Sequence, residues 1–161
     1  MAIYTGMRKG ELLALKWDDI DFEHDIINIT KAVSIVKGQA TIKVPKTKTS
    51  RRSIAIPLAL TLKLKKLHTA QAEYRLSVGD YWQGEDWVFT QDNGKMMNYS
   101  TPYHALQNTI KWYNKSHPEE EALPVIPFHG LRHTSATLLI AGKQDIKTVS
   151  SRLGHAQTST T

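Results

Sequence analysis

His129-Gly-Leu-Arg-His-Thr-Ser-Ala-Thr-Leu-Leu-Ile-Ala-Gly142 has a polar start, an apolar second half and a closing glycine. That pattern, preceded by Pro127 and Phe128, predicts a helix over 129–141. Helical spacing puts His129 and Arg132 one turn apart on one face. An imidazole beside a guanidinium can move a proton while the guanidinium holds a phosphate. His133 also stands one turn from His129, a spacing zinc helices use. No Glu or Asp lies close by to complete a ligand set, and Arg132 would repel a cation, so no metal is expected. Read alone, the same residues also suit two solvated surface histidines.

Three further segments concentrate similar chemistry. Downstream, Asp145 signals the cap of a second helix ending at Gly154, with His155 just beyond it. His155 there suits a hydrogen bond to a phosphate oxygen, or a favourable contact with the helix dipole. Far upstream, Thr5-Gly-Met-Arg-Lys-Gly-Glu11 reads as the end of an apolar helix, a turn at Gly6 and a new short helix. An arginine just after a glycine turn is aimed with little freedom, and its planar fork matches two phosphate oxygens. Arg8 is otherwise a solvated arginine at a helix start. Between these lies Lys43, Lys46, Lys48, Arg51 and Arg52 in a stretch with no acid. A cationic loop between strands suits a DNA backbone, because its charges replace condensed counterions. It equally suits a solvated loop that blunts an edge strand.

The rest of the chain supplies a scaffold. β-like runs cover 26–29, 32–36, 40–44 and 53–56, with Lys37-Gly38-Gln39 as a hairpin turn. Asp18, Asp19 and Asp21 mark a turn-rich acidic stretch, and 87–90 a short buried strand. Leu60, Leu64, Leu67 and Tyr74 recur at helical spacing, so 58–77 is expected to be an amphipathic helix, its stripe interrupted by Gln71. Ser100 is the candidate cap of a helix to about Lys115, on which Tyr113 shares a packing face with Leu106 and Ile110. The fold class expected is α+β, mainly α-helical with a small antiparallel sheet carrying the basic turn on one edge.

Composition narrows the function classes. The chain has 161 residues, 40% hydrophobic, enough for one domain with a sizeable core. It has no cysteine, which excludes disulfides, thiol nucleophiles and Cys-ligated zinc. No apolar run reaches membrane-span length, so no membrane association by a spanning helix is expected. Lys and Arg number 21 against 15 acids, a net charge of +6 that favours an anionic partner.

The order Arg…Lys…His-x-x-Arg…Leu-Gly-His closely resembles the catalytic domain of the tyrosine recombinases, the phage-integrase family, over nearly the whole chain. TGMRKGELLALKWDDID is similar to the family's first arginine box, and HGLRHTSATLLIAG followed by VSSRLGH to its second. The resemblance implies the DNA breaking-rejoining fold, double-stranded DNA as partner, no cofactor and a cytoplasmic setting. It implies that Arg8 and Arg132 clamp the scissile phosphate and stabilise its pentacoordinate transition state. Lys48, with Lys46 as the alternative, would protonate the departing 5′ oxygen. His129 is similar to the family's acid/base residue, and His155 would be a second phosphate donor. Glu11 would support the first box and His133 would pack rather than react. Lys43, Lys46, Arg51 and Arg52 would contact the DNA backbone.

The family's tyrosine nucleophile stands about nine residues past the His of Leu-Gly-His, near position 164, and none of the six tyrosines follows His155. The expectation is therefore a single catalytic domain over 1–161, truncated at both ends. It would lack the nucleophile segment and the preceding DNA-binding domains. The expected states are a monomer for this chain and a tetramer on DNA for its parent. Rival readings are a type IB topoisomerase or resolvase relative, a nonenzymatic DNA binder, and a basic phosphoprotein- or membrane-binding module.

Overall fold

A computed structural model describes residues 1–43 and 51–154. The chain opens with a short helix, α1 (Ala2–Thr5), stopped by Gly6 in the left-handed conformation, φ 62°. A Cβ on Gly6 would come within 2.3 Å of the Leu153 side chain, so the turn needs glycine for space as well as for its backbone angle. Thr5 and Met7 on either side are buried. They pin the turn to the core and leave Arg8 facing out. Helix α2 (Lys9–Leu13) follows, carrying buried Leu12 and Leu13 inward.

Among the described residues, five strands follow. β1 (Ile20–Asp21), β2 (Ile26–Ile29) and β5 (Arg52–Ala55) form an antiparallel sheet in the order β1-β2-β5. β3 (Ala32–Val36) and β4 (Gln39–Lys43) form a separate two-stranded ribbon. The single sheet expected from the sequence is thus two. The break falls at Thr30 and Lys31, whose side chains both bond the Asp19 carboxylate, Lys31 at 2.6 Å. That carboxylate also accepts from the Lys16 N–H at 2.8 Å. The acidic stretch read as turn therefore has two roles: Asp19 fastens the chain, and Ile20 and Asp21 enter a strand.

The ribbon turns on Lys37 and Gly38, both at positive φ, with Val36 paired to Gln39. Two positive-φ residues give the twist that suits a two-residue hairpin. Gln39 belongs to the strand and not to the turn. In the three-stranded sheet, period-two alternation sends Ile27, Ile29 and Ile54 into the core, each at most 2% exposed. Truncating such a residue to alanine costs about 2–5 kcal/mol.

Helix α3 (Leu58–Val78) buries Leu60 and Leu64 but leaves Leu67 and Tyr74 about 40% exposed. The expected apolar stripe holds only in its first half. Further along, polar and aromatic contacts replace it. Trp17 donates its indole N–H to Gln71 at 2.6 Å and stacks on His68 with ring centres 4.4 Å apart. Gln71 in turn donates to Thr90. The residue read as an interruption is the inward-facing one. Segment 87–90 buries Trp87 and Val88 as expected, but it makes isolated bridges to Lys16 and Met96 and forms no strand.

Helix α4 (Thr101–Ser116) begins after Ser100, whose side chain makes no cap bond. Its carbonyl accepts from Tyr103 and His104 instead. Tyr113 is half-buried and stacks on His117 at 3.7 Å. Helix α5 (Gly130–Ala141) carries the stretch quoted at the outset, with His129 at its N-cap. Helix α6 (Ile146–Leu153) is capped by Asp145, which accepts from the Thr148 N–H at 2.9 Å, and is ended by Gly154 at φ 69°. Among the described residues no helix is long and apolar enough to cross a membrane.

Candidate functional site

Arg8 occupies the N-cap of α2 with extended backbone, φ −69° and ψ 151°. Glu11, one turn on, accepts the Arg8 backbone N–H at 2.7 Å and its Nη1 at 3.1 Å. This is the carboxylate half of a capping box: Glu11 accepts the N-cap N–H, while the cap side chain, an arginine with no acceptor, is left to point elsewhere. The helix start and the aim of the guanidinium are set by one carboxylate. The second fork nitrogen, Nη2, donates to the carbonyl of Gly154 at 3.3 Å. The side chain keeps 47% exposure, so the fork is oriented and still open to solvent.

Arg132 is placed differently. Its Nη1 donates to the Gly6 carbonyl and its Nη2 to the Leu153 carbonyl, both at 2.6 Å. The residue is 4% exposed. It joins the turn before Arg8 to the last turn of α6. Burial lowers its pKa to about 10, with the nearby Arg8 charge acting in the same direction. It stays protonated at neutral pH, and a buried positive charge lies behind Arg8.

His129 is exposed at the start of α5, its ring edge-on to His133 at 5.0 Å. Partial burial lowers its pKa, and the charges of His133, Arg132 and Arg8 add to that. The shift favours the neutral, proton-accepting form of the ring. His133 packs against this ring and is itself exposed, outside the core. Arg8, Glu11 and His129 share a groove of about 470 Å³, walled also by Lys9, Tyr99, Tyr103 and Phe128. Lys9 sits over the Tyr99 ring at 3.8 Å, a cation the sequence reading passed over. Its place next to Arg8 was the available signal.

Arg52 corrects an expectation. It was read as a DNA-backbone contact, but its side chain is only 7% exposed. Nη1 and Nη2 bond the two Glu11 oxygens at 2.9 and 2.8 Å, and Nε donates to the Arg152 carbonyl at 2.8 Å. A guanidinium so engaged is not free for a solvent-side phosphate. Glu11 is correspondingly shifted: burial would raise its pKa, but the Arg52 fork and the Arg8 bonds outweigh it and the net direction is down. Arg152, not singled out from the sequence, latches back through Nη2 to the carbonyls of Tyr4 and Ala55.

Lys43 and Arg51 are exposed at the two ends of the basic segment. Lys46, Lys48 and His155 lie outside the described residues. Arg52 itself opens β5, the edge strand of the β1-β2-β5 sheet, and lies beside the Glu11–Arg8 pair. No cluster of metal-ligating side chains occurs among the described residues.

This convergence of two arginine boxes and an exposed histidine on an α+β scaffold agrees with the comparisons. The model of the phage integrase family matches residues 1–161, and the chain belongs to that family. Its fold is that of the tyrosine recombinase catalytic domain. A tyrosine recombinase XerC-like protein of Caldanaerobacter subterraneus is 37% identical over all of this chain and 42% of its own length. The ICEBs1 integrase of Bacillus subtilis is 32% identical over all of this chain and 41% of its own length. Among solved structures, the Tn1549 transposon integrase in complex with circular intermediate DNA superposes with a TM-score of 0.79. It is 26% identical, over 97% of this chain and 50% of that one. The chain thus spans less than half the length of these curated relatives.

Proposed function

We propose that this chain supplies the phosphate-activating groups of a site-specific DNA recombinase that integrates or excises a mobile element. The observation that carries the reading is Arg8: a half-exposed guanidinium aimed by a buried carboxylate, with Arg132 and His129 beside it. Such an arrangement meets one anionic group at a fixed point. The nonbridging oxygens of a phosphodiester gain charge in the pentacoordinate transition state, and a preorganised donor there is often worth about 3 kcal/mol.

In this reading Arg8 takes the scissile phosphate from solvent. Arg132 adds positive charge from behind and has N–H groups beyond the two given to carbonyls. His129, neutral at pH 7, handles a proton at the attacking or bridging oxygen. Lys48, or Lys46 in its place, protonates the departing 5′ oxygen, and His155 donates a further hydrogen bond. Lys43 and Arg51 hold the duplex backbone. The energy of the broken phosphodiester is kept in a 3′-phosphotyrosine, so the chemistry needs no metal and no cofactor. The family's attacking group is a tyrosine past the His of Leu-Gly-His, and no tyrosine of this sequence follows His155. The reading further includes double-stranded DNA as partner, a monomer in solution, a tetramer of the full recombinase on DNA, and action in the cytoplasm.

The test is duplex binding by fluorescence anisotropy across a salt series, paired with a denaturing gel for covalent adducts. The expected result is weak binding whose salt slope falls by about 1 for Lys43→Ala and again for Arg51→Ala. The 161-residue chain should give no covalent adduct. Binding that ignores salt, or an adduct with this chain, would overturn the reading.

A further inference from the structure

We propose that Arg52 is a positioning residue for Arg8: it satisfies Glu11 so that Arg8 stays available to a phosphate. The inference rests on the phosphate-binding reading above and adds a residue to it.

Glu11 is a buried carboxylate with two arginines on it. Arg52 meets both of its oxygens as a parallel fork, at 2.9 and 2.8 Å. Arg8 meets one of them from its side chain, at the longer distance of 3.1 Å. The two arginines also differ in exposure: 7% for the Arg52 side chain against 47% for Arg8. Arg52 is therefore the carboxylate's permanent counterion, and Arg8 is the second, exposed cation. A bidentate guanidinium pair is the stronger of the two arrangements.

This division bears directly on anion binding. With Arg52 in place the Glu11 charge is already neutralised, and the charge of Arg8 is left over for a ligand. Without Arg52, Glu11 would be a buried carboxylate whose nearest cation is Arg8. Its charge would then compete with phosphate for the same fork, because a buried carboxylate needs a counterion.

The surroundings show that the placement of Arg52 is built into the fold. Nε donates to the Arg152 carbonyl in the last turn of α6, and Arg152 Nη2 returns a bond to the Ala55 carbonyl on the strand that carries Arg52. The latch is reciprocal. Gly154 completes it: a Cβ there would lie 2.9 Å from Arg52 Nη1 and 3.2 Å from its Cζ. The carbonyl of the same glycine accepts from Arg8 Nη2. Arg52 thus joins the strand bordering the basic segment, the carboxylate that aims Arg8, and the turn that leads to His155.

The experiment follows arginine Nε–H and Nη–H signals of the 15N-arginine-labelled chain during titration with inorganic phosphate. In the wild-type chain the Arg52 Nη protons should be separately resolved on cooling, because a locked fork does not rotate. The Arg8 Nε–H should move saturably with phosphate. Arg52→Lys keeps the charge but not the fork: one ammonium cannot meet both Glu11 oxygens as the guanidinium does, so one oxygen is left to compete for Arg8. It should keep the amide signals of β2 and β5 and weaken phosphate binding at Arg8 by about tenfold, the scale of one charge-assisted hydrogen bond. Adding Glu11→Gln to Arg52→Lys removes the competing charge and should restore most of that affinity, which a merely structural role for Arg52 does not predict.

The proposal falls if Arg52→Lys binds phosphate within about twofold of wild type, or if the double variant binds no better than Arg52→Lys. Freely rotating Arg52 Nη groups in the wild-type chain would also overturn it, and that measurement needs no variant to fold. If wild-type Arg8 ignores phosphate altogether, the phosphate-binding reading itself is wrong. If wild type responds and Arg52→Lys responds equally, only the inference is.

Discussion

Arg8 and Arg132 stand in neighbouring boxes and are held by opposite means. Arg8 is aimed by a side-chain carboxylate and keeps 47% of its side chain in solvent. Arg132 is 4% exposed and is tied through both Nη groups to main-chain carbonyls. The first arginine is oriented but free, so its removal costs binding more than folding. The second is a structural joint between the Gly6 turn and α6, so its removal costs folding first. One residue type therefore does two jobs, and burial decides which.

The largest effect should come from Arg132→Ala. It strips donors from the Gly6 and Leu153 carbonyls in the interior, at about 1–3 kcal/mol for each unsatisfied group. Urea denaturation should show a loss of about 3 kcal/mol or more. A loss under about 1 kcal/mol would erase the contrast between the boxes.

Glu11→Gln comes next, at about 3 kcal/mol, because it leaves the buried Arg52 charge unpaired. Its pH signature sharpens the point. The folded-state pKa of Glu11 is lowered, so the unfolded chain binds its proton more readily. The stabilisation is complete above the ordinary carboxylate pKa and is lost as pH falls through the folded value. Stability measured from neutral to acid pH should fall less steeply in Glu11→Gln than in wild type. Parallel curves would refute the assignment.

Gly154→Ala should cost about 1–2 kcal/mol, since alanine resists φ 69°. Its methyl also presses on Arg52. The thermal midpoint is the readout. Arg8→Ala sits at the bottom of the scale. Arg8 is half-exposed and Glu11 keeps Arg52 as its buried partner, so the loss should stay below about 1 kcal/mol. It should unfold almost like wild type while losing the phosphate response. An Arg8→Ala chain as unstable as Arg132→Ala would break the comparison.

Much of this was legible in the residues. Gly6, Gly142, Asp145 and Gly154 punctuate the helices where expected, because caps and positive-φ turns are local decisions. Arg8 and His129 were readable as exposed groups at helix starts. Arg52 was misread because the strand was begun at 53. Begun one residue earlier, period-two alternation puts Arg52 on the face of the buried Ile54 and points it inward. Gln71 was misread for the converse reason. A helical stripe shows which side is apolar, but not that a tryptophan from another element needs an acceptor there. The roles of Arg152 and Lys9 depend on partners far away in the chain, which spacing alone does not reveal.

The distance between those partners has a consequence in time. Arg132 grips Gly6 across 126 positions, and Arg8 reaches Gly154 across 146. During synthesis the first arginine box emerges well before the carbonyls and the guanidinium that complete its surroundings. Loop closure on that scale is slow compared with forming α2 or the β3–β4 hairpin. A nascent chain that already displays Arg8 holds no finished anion site, so the site is assembled only once α6 is present.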